Sequence, residues 1–164
     1  MVSNFSMSRF PRESKGEALS WDNVVSGSPS LGYVVATHQG IRTAHPDGTV
    51  LTAYTALGTA DNAAKRRGLA KAPVAELLGL ACQDLDAAYG ADWRRWCTGA
   101  ELTVHGHAMP VPSPGFLDEP IAARARQALK DKQSLLFAHS DLSGYSVFDE
   151  ASFWGVQTAK SLLG

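Results

Sequence analysis

The chain has 164 residues, of which 45% are hydrophobic and 19% charged, and its 15 Lys and Arg against 16 Asp and Glu give a formal net charge of -1. That balance gives no electrostatic footprint for nucleic acid or for an anionic membrane surface, and the length allows one core or parts of two. The two cysteines, Cys82 and Cys97, form no CxxC pair, which argues against a disulfide framework or a thiolate zinc site and for a reducing compartment.

Residues 1–30 are rich in Ser, Gly, Pro and mixed charge, with Trp21, Val24 and Val25 as anchors, and read as an extended lead-in. They lack the apolar core of a signal peptide, and no window approaches the roughly 18 apolar residues of a membrane span. The expectation is a soluble, cytoplasmic chain. Leu31–Gln39 follows as a strand favoured by Tyr33, Val34 and Val35. A turn at Pro46, Asp47 and Gly48 leads into a second strand, Thr49–Leu57, and the two read as an antiparallel pair.

Thr59 or Asp61 is placed to cap a short basic helix that stops near Gly68. A clearer helix starts after Pro73, where Val74, Leu77, Leu78, Ala81, Leu85 and Ala88 recur with a 3.6-residue period up to Tyr89 and Gly90. The segment GADWRRW reads as its exposed exit. Glu101–His107 reads as another strand, from the alternation of Leu102 and Val104 with polar neighbours. Three prolines between Pro110 and Pro114 make Ala108–Phe116 a rigid crossing loop. Asp118 is then placed to cap a helix whose Glu119 and Pro120 suit the first turn.

The last thirty residues hold the most information. Leu135, Leu136, Phe137 and Ala138 form an apolar run without polar alternation, as expected of a strand buried on both faces of a sheet. A polar turn follows, and then a helix from about Ser146 to the end with apolar residues on almost every side, so this helix is expected to pack against something large. A strand that passes through a small-residue turn into a helix presents backbone N–H groups where phosphates and electron-rich cofactor edges bind.

Within that stretch Asp141 is positioned either to accept hydrogen bonds from ligand hydroxyls or to close an Asx-turn. Gly144, Tyr145 and Ser146 supply a tight turn and early amides. Glu150, in the first turn of the helix, suits its dipole whatever the function. His105 and His107, two apart on a strand, face one side without an obvious third ligand, so a metal site is not expected. Ser140 and Ser143 beside His139 lack the GxSxG context of a hydrolase. Trp93, Trp96, Phe153 and Trp154 can line a pocket or simply pack. Arg66, Arg67, Arg94 and Arg95 read as solvated helix surface.

The segment LLFAHSDLSGYSVFDEASFWGVQTAKSLL resembles the C-terminal FAD-binding end of flavin-dependent amine oxidases and related FAD-dependent oxidoreductases, where a buried strand ends in an FAG-E or FAG-D type motif before a glycine turn and a helix beneath the isoalloxazine ring. Phe137 and Ala138 match the strand end. Asp141 looks like the acidic residue that holds the ribityl chain, and Gly144, Tyr145, Ser146 and Val147 look like the turn and helix start beside the flavin. The sequence departs from the family at His139 and Ser140, where glycine is common. SPSLGYVVATHQ and HGHAMPVPSPGF also resemble substrate-domain strands and the loop before the final FAD segment, so the resemblance covers residues 21–163.

The resemblance implies an α/β chain that joins part of an antiparallel substrate-domain sheet to the final strand and helix of an FAD-binding domain. It divides the chain into a lead-in (1–30), a partial substrate-domain-like region (31–117) and a C-terminal FAD-binding segment (118–164). The implied activity is oxidation of an amine, amino acid or related small molecule by hydride transfer to FAD. Asp141 would hold the ribityl, amides near Ser146 and Val147 would stabilise charge on the reduced ring, and Trp154 would pack nearby; no catalytic base is assigned. The strand–GxGxxG–helix unit that binds the dinucleotide elsewhere in the family is missing from this sequence. A partner polypeptide carrying that half is therefore expected, which makes the chain a subunit of a heteromer that is inactive alone. A truncated fragment and a non-catalytic interaction module are the alternatives.

Overall fold

In Val2–Met7 the residues Ser3, Phe5 and Met7 point one way and Val2, Asn4 and Ser6 the other, and the first set is buried. That period of two makes the segment a strand with one core face. The computed structural model, which describes residues 1–11, 20–36, 47–56, 62–131 and 133–163, divides into two units, Met1–Gly106 and His107–Gly164. The chain is mixed α/β.

The first unit is built on a five-stranded sheet, β1 (Val2–Met7), β2 (Asp22–Asn23), β3 (Gly32–Val35), β4 (Thr49–Tyr54) and β5 (Cys97–Thr103), in the order β2-β3-β4-β1-β5. Every pairing is antiparallel. The expected pairing of the two central strands is present, with Tyr33 opposite Ala53 and Val35 opposite Leu51. Residues 2–7, read from sequence as part of a lead-in, instead lie between β4 and β5, with Phe5 opposite Leu51 on one side and Ala100 on the other. A register shift at Ser6 and Met7 passes over Thr98, whose hydroxyl donates to the Ser6 carbonyl at 3.2 Å; such a bulge bends the strand.

Helix α1 (Asn62–Lys71) runs through Gly68 rather than stopping there. One glycine costs a helix about 1 kcal/mol, and Pro73 supplies the firmer boundary. The capping positions Thr59 and Asp61 lie outside the described residues, as do His38, Gln39, His45 and Leu57. Helix α2 (Val74–Tyr89) starts at Pro73 as the periodicity predicts, but it buries Ala81, Cys82, Asp84 and Leu85 while Val74 and Leu78 stay exposed. GADWRRW is no exposed exit: it forms a 3-10 turn, Ala91–Trp96, that drives Trp93 into the core. The Trp93 ring meets Phe5 edge to face at 5.1 Å, and its indole N–H donates to Asp86 at 2.8 Å. Around them Met7, Tyr33, Val35, Leu51, Ala53 and Leu85 close the core. Each large side chain there contributes about 1.5–3 kcal/mol of burial.

Strand β5 starts at Cys97, four residues earlier than the alternation of Leu102 and Val104 suggests, and ends at Thr103. His105 and His107 therefore lie past its end, both exposed, and not on a common strand face.

The second unit holds two helices, α3 (Pro120–Lys130) and α4 (Phe148–Leu163). The cap of α3 is Glu119 rather than Asp118: its carboxylate accepts the Ala122 N–H at 2.9 Å, while Asp118 sits one residue too early, in a 3-10 turn, Phe116–Asp118. Ala108–Phe116 is irregular, as its prolines require. Leu135–Ala138 does not form a strand. Among the described residues its backbone makes no bond to another main chain, and the Phe137 carbonyl is met only by the Thr158 hydroxyl at 3.0 Å. A strand exists by pairing, and among the described residues this unit contains no other strand for it to pair with.

Candidate functional site

The residues singled out by the sequence lie on one short path, from a 3-10 turn, Ser140–Leu142, into the start of α4. His139 enters the turn in an extended conformation, and its Nδ1 stands 3.7 Å from the Asp141 carboxylate. The Asp141 side chain is 61% exposed. It closes no Asx-turn and makes no other contact among the described residues, so its oxygens face solvent as acceptors. Leu142 is buried beneath it.

Gly144 adopts a φ of +74°, which L side chains rarely tolerate. A Cβ there would lie 2.7 Å from Cδ1 of the Phe116 ring. The glycine is thus required by the close approach of Phe116.

Ser143 links the turn to the helix. Its hydroxyl donates to the Glu150 carboxylate at 2.5 Å and accepts the Trp154 indole N–H at 2.6 Å. Trp154 is half-buried, stacked edge to face with Phe153 at 5.1 Å, so it fastens the helix to the turn instead of offering its N–H outward. Tyr145, Ser146 and Val147 are all exposed. The Val147 N–H turns back to the Tyr145 carbonyl at 3.0 Å, and the first bond into the helix runs from Ala151 to Val147 at 3.2 Å. The amides of Phe148, Asp149 and Glu150 therefore belong to the open end of α4, where an acceptor is favoured. The carboxylates of Asp149 and Glu150 in the same turn already complement the dipole.

These groups divide by what they can hold. The exposed Asp141 carboxylate suits hydroxyl donors such as those of a ribityl chain, and the exposed Tyr145–Val147 edge with the first-turn amides suits an electron-rich ring edge. Gly144 packs against the Phe116 ring and the Trp154 indole N–H donates to Ser143. The contacts that fix this geometry left no signal in the sequence. Arg126 of α3 donates through Nη1 to the Leu142 carbonyl at 2.8 Å and through Nη2 to the Leu117 carbonyl. Ser161 ties α4 to α3 through the Leu129 carbonyl at 2.8 Å.

Around this frame much apolar surface is uncovered. Leu135 is 69% exposed and Phe148 83%, and Ile121, Val147, Phe153, Val156, Leu162 and Leu163 are open as well, whereas Leu129 and Leu142 alone among the large aliphatic residues described in this unit are buried. An open groove of about 550 Å3 runs between α3 and residues 133–137, lined by Ile121, Ala125, Ala128, Leu135 and Phe137.

Among the described residues no three His, Cys, Asp or Glu side chains come together as a metal site, and no helix is long and apolar enough to cross a membrane. Trp93 and Trp96 belong to the first unit, where Trp93 is core. Comparison of the chain with protein-family models, with curated proteins and with solved structures finds no match.

Proposed function

We propose that this chain is the small subunit or C-terminal portion of a cytoplasmic FAD-dependent oxidoreductase that acts on an amine, amino acid or related small molecule. In this reading a second polypeptide carrying the strand–GxGxxG–helix half completes the cofactor site. The observation that carries it is the state of Leu135–Ala138: an apolar run, next to the motif that resembles the flavin-binding end, whose backbone makes no main-chain bond among the described residues and whose Leu135 and Phe137 side chains are exposed. Apolar surface and unpaired backbone of this kind are stabilised by burial against a further sheet.

FAD, when bound, supplies the redox chemistry by accepting a hydride equivalent from the substrate. The part played by this chain is placement. Asp141 accepts hydrogen bonds from the cofactor's hydroxyls, while Ser146 and the first-turn amides of α4 favour negative charge at the ring edge. Ser143, Glu150 and Trp154 hold the helix at the angle this requires. The test is purification of the tagged chain from its natural cells: a flavin-coloured complex with a partner bearing the GxGxxG unit supports the reading, and a colourless, cooperatively folded monomer refutes it. In a coloured complex, Asp141→Ala weakens flavin retention by about tenfold or more, the value of losing hydrogen bonds to a charged group.

A second reading, a non-catalytic interaction module, draws on the Phe116 ring that fills the Gly144 face. It predicts a partner complex that forms without flavin.

A further inference from the structure

The sheet unit carries a second, separate feature. A cavity of about 320 Å3 is lined by Arg9, Pro11, Tyr89, Asp92, Trp93 and Trp96, a volume at the lower end of the range for small-molecule sites. Its walls are pinned. Ser8 directs both its backbone N–H and its hydroxyl to the Trp96 carbonyl, at 2.8 and 3.1 Å, which fixes the end of β1 against the 3-10 turn. Trp93 is tied through its indole N–H to Asp86, and Tyr89 through its hydroxyl to Tyr33 at 2.9 Å. The polar tips of both rings are engaged elsewhere, so the half-buried Tyr89 lends the cavity aromatic surface, while Trp93, 1% exposed, backs it from within the core.

The exception is Arg9. Its guanidinium lies over the Trp96 ring at 3.6 Å from the centroid, and among the described residues it makes no hydrogen bond or ion pair. This cation–π contact uses none of the N–H donors, whose fork geometry matches a carboxylate. A pre-positioned cation beside an apolar wall is the combination that selects an anion with a flat apolar body over a free inorganic ion.

We propose that this cavity binds a small monocarboxylate with an aromatic body, the carboxylate on Arg9 and the ring against Tyr89 and the exposed part of Trp96. Asp92, on the same rim and paired with Arg95 at 3.2 Å, opposes a second negative charge and so disfavours dicarboxylates. The site lies wholly within the first unit and does not rest on the flavin reading.

Phenylacetate is a suitable probe, titrated into the full chain and followed by tryptophan fluorescence, with two tryptophans in the wall as reporters. Saturable quenching is expected, and the neutral isostere phenylacetamide gives none. Arg9→Gln weakens binding by about tenfold or more and Arg9→Lys by less, because the point charge survives without the fork. Asp92→Asn tightens it by removing the opposing charge. Because Arg9, Asp92 and Arg95 are exposed, all three variants keep the wild-type circular dichroism. Absence of saturation in the folded wild type, equal response to phenylacetamide, or unchanged affinity in Arg9→Gln overturns the proposal.

Discussion

Replacing Trp93 with alanine tests the architecture of the first unit at its most buried point. The side chain is 1% exposed and meets Phe5 edge to face, and its indole N–H reaches Asp86. Truncating a buried tryptophan to alanine costs about 3–5 kcal/mol through lost transfer energy and the cavity left behind. The aromatic pair adds about 0.5–1.5 kcal/mol. Loss of the hydrogen bond adds little, because Asp86 keeps its ion pair with Arg94 at 2.5 Å. The expectation is therefore about 4–5 kcal/mol for Trp93→Ala, and about 1–2 kcal/mol for Trp93→Phe, which keeps most of the volume. Urea unfolding followed by far-ultraviolet circular dichroism measures this as a fall in midpoint at constant slope. Val74→Ala, at an exposed position of α2, serves as control and changes stability by no more than about 0.5 kcal/mol. A loss below about 1 kcal/mol for Trp93→Ala, or a loss equal to that of Val74→Ala, refutes the placement of the 3-10 turn in the core.

Other positions give independent checks. Gly144→Ala forces a Cβ against the Phe116 ring at a positive φ and lowers the stability of the second unit by about 1–3 kcal/mol, read as earlier protease cleavage between 107 and 163. Glu119→Ala removes the cap on Ala122 and costs about 1 kcal/mol, whereas Asp118→Ala leaves helix content unchanged by circular dichroism. Burial pushes the Cys82 thiol up, with Arg94 opposing the shift. Since the unfolded thiol ionises first, stability from the neutral Cys82 is complete below the ordinary thiol pKa and is lost as pH rises toward the raised folded value. Cys82→Ala flattens that alkaline decline in a stability–pH profile, and Cys97, only partly buried, is alkylated before Cys82.

The parts of the fold legible in the sequence are those where local pattern and tertiary demand agree. The 3.6-residue period of α2 gives its extent, although only Ala81 and Leu85 of the periodic positions are buried, and the β-branched and aromatic residues of Tyr33–Val35 and Val50–Tyr54 give the two strands. Strand β1 was hidden because its inner face is Ser3, Phe5 and Met7 within a run of serines. Ser3 has no strand propensity to announce it, and Phe5 becomes a core residue only through distant neighbours, Leu51 across the sheet and Trp93 against its ring. The opposite error occurred at Leu135–Ala138, where local composition is that of a buried strand but pairing is a property of neighbours, and none is at hand. At the candidate site the sequence picked out Asp141 and the exposed Tyr145–Val147 edge as groups able to meet a ligand. That Phe116 approaches Gly144 and that Ser143 takes the Trp154 indole N–H are contacts that only the folded chain brings together.

The most direct test of the central claim, that Leu135–Ala138 awaits a partner sheet, is hydrogen exchange at those amides in the isolated chain and in the complex recovered from its natural cells. The account predicts rapid exchange at 135–138 in the chain alone, and strong protection in a complex that also contains flavin and a GxGxxG-bearing polypeptide. Protection already present in the isolated, colourless monomer would contradict it.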